Sequence, residues 1–119
     1  MTTTFAALTI DCADSGALAD FWGKALGRPV SPGAVAGDTA VDATVPESGP
    51  RMLLHNAPEA ETTKNSIHFV LVTDHYEEEI ERLTGLGAKP LNETELPAVR
   101  WTTFADPEGN EFDLVIWKT

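Results

Sequence analysis

The sequence predicts an α+β protein made of two tandem βαβββ modules, forming an open eight-stranded cupped sheet with both helices outside. Three observations carry that expectation. The order strand, capped helix, glycine stop, hairpin occurs twice along the chain. The two helices end alike, in Leu26-Gly27-Arg28-Pro29 and Leu86-Gly87-Ala88-Lys89-Pro90, which marks a duplication with a period of about 60 residues. Each helix is followed by period-two segments around a Pro/Gly-rich turn.

In the first module, Phe5 to Cys12 sets Ala7, Thr9 and Asp11 against Leu8, Ile10 and Cys12, the alternation of a strand with one buried face. Asp14 or Ser15 can cap the helix that follows, in which Ala17, Leu18, Phe21, Trp22, Ala25 and Leu26 share one side. Gly27 suits a left-handed C-cap, and Pro29 prevents the helix from resuming. A short strand is expected around Arg28 to Ser31. A hairpin then joins Thr39 to Val45 with Arg51 to Asn56 across Pro46-Glu47-Ser48-Gly49-Pro50.

The second module repeats this order with a strand at Ile67 to Thr73. Asp74 is the expected cap, with Glu77 at capping-box spacing, for a helix carrying Tyr76, Ile80, Leu83 and Leu86 and stopping at Gly87. A short strand around Lys89 to Asn92 precedes the hairpin of Val99 to Ala105 and Glu111 to Trp117. In its turn, Asp106 accepts backbone hydrogen bonds, Pro107 fixes its own φ, and Gly109 or Asn110 takes the positive φ. Ala57 to Ser66 is the natural linker. Two such units side by side give eight strands, with one face free to curl around a cavity.

A chain of 119 residues, 42% hydrophobic and 23% charged, is the size and composition of one globular domain. Its net charge of −11, with no Lys/Arg cluster, opposes binding to nucleic-acid backbones or anionic membranes. No apolar run is long enough for a membrane span and the N-terminus lacks the basic start of a signal peptide, so the expected location is cytoplasmic. Cys12, the single cysteine, reads as a buried structural thiol. There is no phosphate-cradling GxxxxGK[ST], no GxSxG elbow and no CxxC pair.

Ala105-Asp106-Pro107-Glu108-Gly109-Asn110-Glu111-Phe112-Asp113-Leu114-Val115 resembles the DPxGN-hydrophobic ending of the glyoxalase/bleomycin resistance protein/dioxygenase (vicinal oxygen chelate) superfamily. Ala13-Asp14 through Phe21-Trp22 to Ala25-Leu26-Gly27 is similar to the superfamily's helix motif, and His68-Phe69-Val70-Leu71-Val72 to its second opening strand. The ordered resemblance spans nearly the whole chain and is closest to the glyoxalase-like subgroup. It implies a single glyoxalase-like domain over residues 1–119, with module one at about 1–57 and module two at about 66–119.

The resemblance further implies a small organic ligand and one divalent metal, iron, manganese, nickel or zinc, which polarises the substrate as a Lewis acid. His68 and Asp113 fall on its second-module ligand positions. The first-module opening position falls on Ala7, or on Leu8 without a one-residue adjustment, and neither binds metal. His55 would be the third ligand if strand parity turns it inward; otherwise it is a solvent-facing strand residue. Asp11 either contacts a ligand or pairs in the interior with Arg51 or Arg100. Trp101 is a candidate cavity wall, Trp22 a core residue, Trp117 a packing or interface residue and His75 a surface residue at the helix start. Two functions compete: a metal-dependent lyase, isomerase or oxygenase, and a non-catalytic antibiotic-binding protein of the bleomycin-resistance type. The missing ligand at Ala7 and the charge favour the second; His68 and Asp113 favour the first. A homodimer is expected from the resemblance alone.

Overall fold

The computed structural model describes residues 7–33, 37–42, 49–57 and 68–118. The chain divides into two compact units, Met1–Glu61 and Thr62–Thr119, each with one helix and one four-stranded sheet among the described residues. This is the expected α+β fold of two βαβββ modules. Neither helix is long and apolar enough to cross a membrane.

Module one contains β1 (Ala7–Cys12), α1 (Ser15–Leu26), β2 (Val30–Pro32), β3 (Thr39–Val41) and β4 (Arg51–Asn56). Its sheet order is β1-β4-β3-β2, with β1 and β4 parallel. Asp14 caps α1, its carboxylate accepting the Ala17 amide at 3.1 Å, and Gly27 closes the helix at φ 65°. Leu18, Phe21 and Trp22 are buried on α1, as are Val41, Met52 and Leu54 on the strands behind it. Ala17, expected on that packed side, is exposed. The Asn56 carboxamide oxygen accepts the Ser15 amide at 3.2 Å, and Ser15 Oγ donates to the Gly37 carbonyl at 2.8 Å. These bonds pin the start of α1 to the sheet.

Module two contains β5 (Phe69–Val72), α2 (Tyr76–Leu86), β6 (Lys89–Glu95), β7 (Val99–Ala105) and β8 (Glu111–Trp117), with sheet order β5-β8-β7-β6. Under α2 lie Phe104, Phe112 and Leu114, the two rings stacked with centroids 5.4 Å apart. The Tyr76 hydroxyl reaches this layer, meeting Thr102 Oγ1 at 2.5 Å and the Glu93 carboxylate at 3.1 Å, while the Arg100 guanidinium covers its ring. The N-cap is His75, without a side-chain cap bond, and not Asp74. The helix begins one residue later than its acidic signal suggests, so the Asp74–Glu77 capping box does not form; three glutamates in the first turn still complement the helix dipole.

The β7–β8 hairpin has the expected bounds, and its turn follows the expected chemistry. Asp106 Oδ1 accepts the amides of Glu108 and Asn110, both at 2.9 Å, and Gly109 takes φ 89°. Elsewhere strand ends differ: β2 starts at Val30, and β6 extends to Glu95 through a register shift between Pro90 and Asn92. Val45, most of the Pro46–Pro50 turn, Phe5, Ile67 and the linker after Ala57 lie outside the described residues.

Candidate functional site

Each sheet packs one face against its helix and leaves the other to hold polar side chains. Register assigns the sides. In module one, Leu8 pairs with Met52, Ile10 with Leu54 and Cys12 with Asn56 on the α1 side, so Ala7, Thr9 and Asp11 share the opposite face with Arg51, Leu53 and His55. Cys12 is buried, its thiol directed to the His55 carbonyl at 3.5 Å.

That face carries two clusters. His55 Nδ1 lies 2.9 Å from Asp38 Oδ2, and Asp38 Oδ1 also accepts the Asn56 amide at 2.9 Å. The hydrogen bond to Asp38 raises the His55 pKa, with a further push from the Asp11 carboxylate across the β1–β4 pairing, and correspondingly holds the Asp38 carboxyl below its ordinary range. Asp11 itself is exposed. Of its two expected roles, the interior pairing with Arg51 does not form, because Arg51 Nε donates to Asp42 at 2.8 Å; Arg100 faces Glu93 and Glu77 within module two. Asp42 also accepts Ser31 Oγ at 2.9 Å, and these two bonds lower its pKa.

In module two, Phe112 and Leu114 face α2, so Asp113 and Val115 point away from it, alongside Thr103 and Trp101 of β7 and Val70 and Val72 of β5. His68, just before β5, joins them. Its Nε2 lies 3.0 Å from Asp113 Oδ1, and Thr103 Oγ1 donates to the same oxygen at 2.6 Å. The His68 side chain is 36% exposed and that of Asp113 19%. Trp101, two residues from Thr103 on the same strand face and half-buried, stands about 7 Å away along the strand. His68, Asp113 and Trp101 therefore share one sheet face, while His55 and Asp11 share another. Trp22 is buried in the module-one core; Trp117 is exposed, as is His75 beside Asp74.

Register also settles which first-module residues correspond to His68 and Asp113. Aligning the helix caps Asp14 and His75 puts Ala7 with His68 and Asp11 with Val72. Ala7 pairs with Arg51, and one step back along β5–β8 puts His68 opposite Glu111. Leu53 thus corresponds to Asp113, Ala40 to Thr103, and His55 to Val115. His55 is displaced by two residues from the position that would supply a ligand, and Leu8 points to the helix side.

A catalytic metal keeps about three protein ligands. Among the described residues no three His, Cys, Asp or Glu side chains are grouped to hold an ion. Module two supplies two donors already hydrogen-bonded to one another, and their counterparts Ala7 and Leu53 have none to offer. The donor set does not fit a divalent metal.

Thr103 and Asp38 were not singled out from sequence. Folding the hairpin symmetrically about Asp106–Asn110 would have placed Thr103 opposite Asp113. Nothing comparable fixes the β3 register that brings Asp38 to His55.

Among solved structures, a glyoxalase/bleomycin resistance protein/dioxygenase superfamily member from Sphaerobacter thermophilus is 23% identical with TM-score 0.71, covering 97% of this chain and 98% of its own. A glyoxalase-related enzyme from Fulvimarina pelagi is 17% identical with TM-score 0.69, covering 97% and 88%. A lactoylglutathione lyase from Agrobacterium tumefaciens is 14% identical with TM-score 0.68, covering 98% and 95%. At such identities the likeness is one of fold. No curated protein matches the chain. The profile of the Glyoxalase-like domain matches residues 7–115. With nearly the whole chain inside that match, the protein belongs to the glyoxalase-like domain family.

Proposed function

We propose that the chain binds a small organic molecule on the face of module two that points away from α2. The observation that carries this reading is the His68–Asp113–Thr103 group. Three polar side chains from separate segments meet on a sheet face where none of them is needed to satisfy the core. Such convergence beside an aromatic wall, here Trp101, is the usual make-up of a small-molecule site. The Asp113 carboxylate fixes the His68 ring through Nε2, so the imidazole is held in one orientation and can present a defined atom to a ligand.

The net charge of −11 favours the second reading, capture of a cationic antibiotic, over chemistry on an anionic substrate. A lyase or isomerase activity would run through His68 and Asp113 by proton transfer. Thermal-shift measurements on untagged protein with bleomycin and with S-lactoylglutathione test the binding reading. Ligand at 100 times its Kd should add about 2.7 kcal/mol, and raise Tm by roughly 10 °C. The reading is abandoned if neither compound moves Tm, or if Asp113→Asn and Trp101→Ala leave the shift unchanged.

A further inference from the structure

We infer that recognition on the module-two face is direct and metal-free, and that it selects a hydrogen-bond donor, above all an ammonium or amidinium group carried on an aromatic ring. The inference rests on the proposed binding face and specifies its ligand.

Asp113 Oδ1 already takes two donors, His68 Nε2 at 3.0 Å and Thr103 Oγ1 at 2.6 Å. The remaining capacity of the carboxylate lies largely on Oδ2. Because His68 turns Nε2 to the carboxylate, a neutral ring leaves Nδ1 as an acceptor. The group thus presents two acceptors and no spare strong donor, since Thr103, 8% exposed, spends its hydroxyl proton on Asp113. A ligand carboxylate would meet acceptors only. An ammonium or amidinium would gain a charge-assisted bond.

The surroundings act in the same direction. Glu111 shares this face, opposite Ala105, and the lysine on it, Lys89, sits across the sheet on the outer strand β6. Trp101 supplies a ring for aromatic or cationic stacking. The vacancies at Ala7 and Leu53 remove the module-one counterparts of His68 and Asp113, so this chain departs from a metal-centred arrangement. In its place stands a hydrogen-bonding group complete within module two.

Two probes of similar size and opposite charge test the inference: 2-phenylethylamine and 3-phenylpropionate, titrated at pH 7 into the 15N-labelled full chain. The amine should move the Thr103 and Asp113 amides and the Trp101 indole, and bind at least about five-fold more tightly than the acid. Asp113→Asn should weaken the amine by a similar factor, and the exposed His68→Gln should preserve the spectrum while altering the Thr103 shift. Zinc or nickel alone should give no saturable shift at one equivalent. The inference is overturned if the acid binds as well as the amine, if Asp113→Asn leaves amine binding unchanged, or if one equivalent of metal binds and His68→Gln abolishes it. Silence of these resonances toward both probes, bleomycin and S-lactoylglutathione overturns the binding face itself.

Discussion

Replacing Asp106 should damage the protein more than its place in a surface turn suggests. Its side chain is 4% exposed in relative terms and accepts the Glu108 and Asn110 amides at 2.9 Å, together with the Asn110 carboxamide nitrogen at 2.9 Å to Oδ2. Asp106→Ala leaves two partly buried backbone donors without an acceptor. At roughly 1–3 kcal/mol for each unsatisfied group, reduced for partial access to water, the total is about 3 kcal/mol. For a domain of this length that lowers Tm by roughly 10 °C. Asp106→Asn keeps Oδ1 as an acceptor and should cost less than half as much. Urea unfolding of the three proteins gives the comparison, with m expected to be unchanged. A loss below about 0.5 kcal/mol for Asp106→Ala would refute the claim that this carboxylate organises the turn. The same variant should weaken ligand binding, because the turn sets the β7–β8 register that brings Thr103 to Asp113.

Tyr76→Phe should cost about 1–2 kcal/mol in urea unfolding, since it strips the buried Thr102 hydroxyl of its partner while leaving ring packing intact. Leu54→Ala, at a fully buried site under α1, should cost about 3 kcal/mol or more by the same measurement. The His55 ring, followed by NMR, should titrate above its ordinary 6.5, and Asp38→Asn should bring the midpoint down. Because the folded His55 pKa is raised, its pairing contributes stability in full below about pH 6.5 and loses it as pH rises through the folded midpoint. Asp38, lowered from 3.8, loses its share as pH falls through its own folded midpoint, so Asp38→Asn should flatten the pH–stability profile at both ends. The homodimer expected from the family resemblance predicts a solution mass twice 12.8 kDa, checked by light scattering.

Module order was legible because its signals are local. Asp14 before an amphipathic run, a glycine after each helix, and a turn built on Asp106 and Gly109 each depend on residues a few positions apart. The Asp74 capping box failed because sequence spacing tolerates a shift of one residue whereas cap geometry does not. In the site, the β7–β8 hairpin alone fixes Thr103 opposite Asp113, whereas His68 and Asp113 stood out through the family resemblance and meet only through the parallel β5–β8 pairing. His55 could not be placed from sequence, since its face depends on the parallel β1–β4 pairing between strands far apart in the chain. Asp11 looked costly in an apolar strand; β1 turns it to an exposed position, where the cost does not arise.

The register shift in β6 has a consequence for how this surface could change over time. Leu91 is the additional residue between Pro90, paired with Phe104, and Asn92, paired with Thr103. It thereby sends Asn92 and Thr94 to the open face and Glu93 to Tyr76 and Arg100 beneath the helix. Deleting that one residue would join Pro90 to Asn92 in an unbroken ladder and leave Asn92, Glu93 and Thr94 opposite the same β7 partners, whereas drawing Leu91 into the ladder would exchange the two sets and strip the tyrosine and arginine of their partner. A single-codon deletion here would thus be silent for the electrostatics of both faces, while the same loss anywhere in Asn92–Glu95 would turn the residues beyond it to the opposite side.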